Sequence, residues 1–194
     1  MRLPIIALFL ITMYSCNDNT PAVSVSPAKK DTPTEKILFF PVTAYLKGQI
    51  ADIIKTKKPL KKYTISGDHT DSLKATVTDF KTLANEFLQP EIDSANLLSF
   101  YSESKFFDQT INAITFTYEA KQPLPDSVTL QHWDVYVAPE IGSVTRIYMV
   151  KKNTAEKQLQ LTWQSNQWCK ITTIITRPDG TSTVEKEEKI SWEY

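Results

Sequence analysis

Glycine is scarce in this chain. Gly48, Gly67, Gly142 and Gly180 are the only four in 194 residues, and no two stand close together, so no glycine-rich loop exists to cradle a phosphate. There are two cysteines, Cys16 and Cys169, and two histidines, His69 and His132, which leaves imidazole or thiol chemistry few places to stand. Net charge is also missing. The 22 basic and 22 acidic residues cancel, removing the cationic field that sequence-independent binding of nucleic acid requires. DNA and RNA are excluded as natural partners on that ground. No G-x-S-x-G elbow and no H-E-x-x-H motif occurs, so hydrolase chemistry has no specific support. The apolar run from Leu3 to Met13 falls short of the roughly 20 residues that a helical bilayer span needs.

What is present begins at that run. Arg2 supplies a small positive charge ahead of Leu3 to Met13, the length and order of a signal peptide. Directly behind it stands Met13-Tyr14-Ser15-Cys16, which resembles the lipobox of bacterial lipoproteins, where a signal peptidase cuts before a diacylglyceryl-modified cysteine. The resemblance covers the first sixteen residues. It implies that residues 1–15 are a signal peptide and that Cys16 is the lipidation site. The chain is then held at the bacterial cell envelope, with the outer membrane preferred and the bilayer as a partner through the lipid. Several acyl chains at about 0.8 kcal/mol per buried methylene give a stable anchor. With Cys16 acylated, Cys169 has no disulfide partner in the chain.

Residues 16–35 follow as a tether. Pro21, Pro27 and Pro33 interrupt small and polar side chains with no aromatic among them, too little apolar surface to offset the entropy of ordering. Treated as flexible, this length reaches about 24 Å, from roughly 5–6 Å times the square root of residue number. Residues 36–194 are expected to form a single domain, consistent with 41% apolar and 23% charged content overall.

Within that domain, Pro41 suits a helix start. Val42, Tyr45, Leu46, Ile50, Ile53 and Ile54 recur at helical spacing, predicting a core-packed helix that ends near Thr56. Thr76 with Asp79 three residues on approximates a capping box for a second helix carrying Phe80, Leu83, Ala84 and Phe87. Between them, Tyr63 to Ser66 suggests a short strand and Gly67 to Asp71 a loop. From about Ser102 the period becomes 2, and six or seven strands are expected in a meander. Leu159, Leu161 and Trp163 alternate with Gln158, Gln160, Thr162 and Gln164, giving one dry and one wet sheet face. Pro139-Glu140-Ile141-Gly142 and Pro178-Asp179-Gly180 mark hairpin turns, and Asn166 a third tight connection. The expected fold class is α+β, with N-terminal helices packed on an antiparallel meander.

Candidate chemistry is thin. Asp68-His69-Thr70-Asp71 gathers two carboxylates and an imidazole; it is read as a solvated turn, since three ligand candidates within four residues rarely wrap one ion, with a divalent-metal site the alternative. His132 shares a strand face with Asp134 and Tyr136, a set able to move a proton, though polar neighbours on a wet face arise without function. Cys169 lies two residues before Ile171 and is expected to be buried as a small hydrophobe. Lys55, Lys57, Lys58, Lys61 and Lys62 form the densest charge run, read as a solvated helix end and loop, with attraction to anionic head groups the alternative. No cofactor, metal site or catalytic residue is expected. The expected role is a non-catalytic envelope lipoprotein that contacts an envelope protein or component. The alternative is a carrier that encloses a lipid or other hydrophobic ligand between sheet and helices.

Overall fold

A computed structural model describes residues 39–92, 97–121 and 123–192. Cys16, the segment 1–15 and the tether 16–35 lie outside the described residues. Helix α1 (Val42–Thr56) starts after Pro41 and stops at Lys57, whose φ of 49° is left-handed and whose N–H reaches the Ile54 carbonyl. A hairpin follows, β1 (Leu60–Ser66) and β2 (His69–Ala75), then α2 (Val77–Asn85) and a 3₁₀ turn at Glu86–Leu88. After a second 3₁₀ turn at Leu98–Phe100 come β3 (Tyr101–Asp108), β4 (Ala113–Ala120), β5 (Leu130–Val137), β6 (Val144–Lys152), β7 (Lys157–Gln164), β8 (Trp168–Thr176) and β9 (Ser182–Ser191).

All nine strands form one antiparallel sheet in the order β2-β1-β9-β8-β7-β6-β5-β4-β3. Strands β3 to β9 run as a simple meander, and the β1–β2 hairpin pairs onto β9 through Lys61 and Ser191. With nine strands and two α-helices among the described residues, the chain is mostly β rather than a balanced α+β. The difference lies at Gly67 to Asp71, expected as a loop: it is a tight turn leading into β2. That strand, HTDSLKA, is exposed everywhere except Ala75, so it carries no apolar alternation. Its ladder to β1 holds it, not a buried face.

The turn chemistry is realised where expected. Gly142 at φ 64° closes the β5–β6 hairpin, Gly180 at φ 83° the β8–β9 hairpin, and Asn166 at φ 63° the β7–β8 connection. At α2, the Thr76 hydroxyl accepts the Asp79 N–H while the Asp79 carboxylate accepts the Thr76 N–H, a complete capping box.

Both helices share one core with one side of the sheet. Trp133, Trp163 and Trp192 are fully buried there. Phe80 and Phe87 bring α2 and its 3₁₀ turn onto Trp163, at ring-centroid distances of 6.3 and 5.4 Å, and Phe80 also meets Trp192 at 5.5 Å. Tyr118 stacks on Trp133 at 4.6 Å. Burying each such side chain contributes about 1.5–3 kcal/mol, and the helices exist because their apolar stripes complete this layer. One charge enters it: Lys151, 3% exposed, donates to the Glu86 carbonyl and so caps the end of the α2 segment.

Candidate functional site

The opposite face of the sheet carries no described helix, and its side chains form a grid set by register. Across β4, β5, β6 and β7, one row holds Thr117, Asp134, Tyr148 and Thr162. On one side of it lie Thr115, Tyr136, Arg146 and Gln164, and on the other Glu119, His132, Val150 and Gln160. Alternation along β5 puts Trp133 and Val135 into the core and His132, Asp134 and Tyr136 outward.

Asp134 is the centre of this grid and is 8% exposed. Its Oδ1 accepts the Thr117 hydroxyl at 2.6 Å. Its Oδ2 lies 3.0 Å from His132 Nε2 and accepts the Tyr136 hydroxyl at 3.3 Å. Burial pushes the Asp134 carboxyl up, but the hydrogen bonds from His132 and Thr117 outweigh it and hold its pKa below the usual carboxylate value. The hydrogen bond to Asp134 raises the His132 pKa above its ordinary value, against a smaller opposing effect of burial. Tyr148 meets His132 edge to face at 6.3 Å, and burial, then the Asp134 charge, raises its phenol pKa.

Beside the carboxylate, the Arg146 guanidinium lies 3.9 Å from the centre of the Tyr136 ring, a cation–π contact. Asp134, Tyr136, Arg146, Tyr148 and Thr162 line an open groove of about 320 Å³. The arrangement is a cation on an aromatic plate beside a buried anion, with Thr and Gln hydrogen-bonding groups at its margin. Further along the same face, Lys189 sits between Trp168, at 4.8 Å, and Tyr63, at 5.9 Å, while Lys170 and Thr172 both donate to Glu187.

No family model, no curated protein and no solved structure matches the chain.

Of the residues singled out in the sequence, His132, Asp134 and Tyr136 are brought together. Arg146, Tyr148 and Thr117 complete the cluster without having been anticipated. His69 and Asp71 are exposed on β2, where the Asp71 carboxylate accepts the Ser72 N–H. Among the described residues no three His, Cys, Asp or Glu side chains are grouped to hold a metal. Cys169 is fully buried between the sheet and its core, and burial drives its thiol pKa far upward, which suits a small hydrophobe. The lysine run is dispersed by the fold. Lys55 closes α1, Lys57 is its left-handed cap, Lys61 lies over Tyr63 on the open face, and Lys62 pairs with Glu188 at 2.9 Å on the other.

Proposed function

We propose that the chain is a lipid-anchored, non-catalytic binding module of the bacterial cell envelope, held at the outer membrane through Cys16, which engages another envelope protein or component with the open face of its sheet. The anchor rests on Met13-Tyr14-Ser15-Cys16 behind the apolar run. One observation carries the binding half: one face of the sheet is taken up by the helices and a solid aromatic core, while the other presents the grid around Asp134 and Arg146 with side chains mostly half-buried among themselves. Such a preformed, rigid surface loses little entropy when a partner settles on it.

Two features favour a non-catalytic role. The Thr117 hydroxyl donates to Asp134 rather than to His132, so it is not arranged as a nucleophile beside a base. Both Asp134 oxygens already accept hydrogen bonds, which suits holding a surface together better than taking up a substrate proton. The carrier alternative asks for an apolar cavity between helices and sheet. Trp133, Trp163 and Trp192 fill that layer, which favours the interaction module.

The anchor is tested in the native host with an alkyne-bearing fatty acid. Wild-type chain is expected to incorporate the label and fractionate with outer membranes, and Cys16→Ser to lose both properties. Label retained by Cys16→Ser, or absent from the wild type, would remove the anchor from the account.

A further inference from the structure

The last strand of the meander, β3, is an open edge: among the described strands it pairs with β4 alone, in a register unbroken from Tyr101↔Ala120 to Asp108↔Ala113. Exposed edges are normally blunted by charged side chains, a proline, a bulge, a cover or a short length. This edge, YSESKFFD, has no proline and no bulge, and its two central charges, Glu103 and Lys105, are of opposite sign. Ser104 and Lys105 are exposed, and Phe106 and Phe107 are each 50% exposed, an unusual outlay of aromatic surface for a strand facing water.

Symmetry then restricts what can dock. An antiparallel pair of identical strands around a two-fold axis must set residue i opposite j with a constant, even sum. No even sum pairs all eight residues, and one of the two registers that pair seven centres on Ser104. It places Glu103 opposite Lys105 twice, Ser102 opposite Phe106 and Tyr101 opposite Phe107. Centring on Glu103 or Lys105 instead would oppose like charges. Of the two seven-residue registers, the one about Ser104 is thus the charge-complementary one. The other edge, β2, shows no such match. Centred on Ser72, it would oppose Asp71 to Leu73 and Thr70 to Lys74, with no pair of opposite charges.

We propose that β3 is a homodimerisation edge, pairing antiparallel with β3 of a second copy about Ser104 and joining two nine-stranded sheets into one. The open grid around Asp134 lies on the sheet face, not its edge, so this pairing leaves it free and stands or falls apart from the proposed function.

The test uses the full chain in its own envelope. Across a two-fold axis at Ser104, paired Cα atoms stand about 4.5–5.5 Å apart, within disulfide reach. Ser104→Cys, oxidised with copper-phenanthroline, is expected to give a reducible dimer of twice the chain mass, while Ser72→Cys, at the centre of the other edge, stays monomeric. Adding Lys105→Glu should weaken dimerisation about tenfold, the factor that about 1.4 kcal/mol over two opposed pairs corresponds to. The exchange Glu103→Lys with Lys105→Glu should restore it, which neither misfolding nor random collision would do. Equal cross-linking at Ser72→Cys, a monomer from Ser104→Cys, an adduct of another mass, or failure of the charge exchange to rescue would each overturn the proposal.

Discussion

Asp134 shows how one side chain organises a face. A carboxylate with 8% exposure would be costly if unpartnered, and each buried acceptor left unsatisfied costs about 1–3 kcal/mol. Thr117, His132 and Tyr136 together supply its partners. The consequence is legible in titration. The folded His132 pKa is raised, chiefly by the hydrogen bond to Asp134, so its contribution to stability is fully present below the unfolded value of about 6.5 and is lost as pH rises through the folded value. NMR titration of the His132 imidazole is expected to give a pKa above that of a free histidine. Asp134→Asn should bring it down and remove this part of the pH dependence of unfolding. An unchanged His132 pKa in Asp134→Asn would mean the contact does not hold in solution. His132, Asp134 and Tyr136 were visible as a trio because β alternation alone puts i, i+2 and i+4 on one face. Arg146 and Tyr148 were not, because they arrive from a neighbouring strand. A bulge between Tyr136 and Val137 shifts the β5–β6 register, so counting back from the Gly142 turn would align Tyr136 with Thr145 instead of Arg146.

At the scale of elements, local chemistry decides helix ends and hairpins, and tertiary packing decides the rest. The α2 cap is self-contained: Thr76 and Asp79 satisfy each other's backbone donors. Thr76→Ala is expected to destabilise the fold by about 1 kcal/mol, read as a lower denaturant midpoint with an unchanged slope. No loss would show that α2 is held by Phe80 and Phe87 alone. This cap, the Pro41 start of α1 and the glycine turns at 142 and 180 were legible because each depends on a few adjacent residues. Strand β2 was not. It buries one side chain, Ala75, and its place is set by β1, from Leu60↔Ala75 to Ser66↔His69, which no hydrophobic pattern in HTDSLKA records. Lys151 was equally hidden. In sequence it looks like a solvated strand residue, yet its alternation with Ile147 and Met149 turns it inward, where the Glu86 carbonyl receives its ammonium. Burial lowers its pKa despite the Glu86 carboxylate nearby.

At the largest scale, the described strands form one wide sheet with unequal faces. Residues distant in sequence are tied by the β1–β9 ladder, and the layer of Trp133, Trp163 and Trp192 makes the covered face solid. Three indole N–H groups in that layer have no hydrogen-bond acceptor, a cost outweighed by the aromatic area they bury. A solid layer on one side and an assembled polar and aromatic surface on the other suit the proposed module, which touches a partner rather than enclosing a ligand. On the proposed function, the open face is where a partner docks. Photo-cross-linking in intact host cells tests it directly, with p-benzoylphenylalanine replacing Tyr148 on the open face in one variant of the full chain and Lys81 on the exposed side of α2 in another. The account predicts a discrete adduct from position 148 and none from position 81; adducts arising from position 81 alone, or from neither, would contradict it.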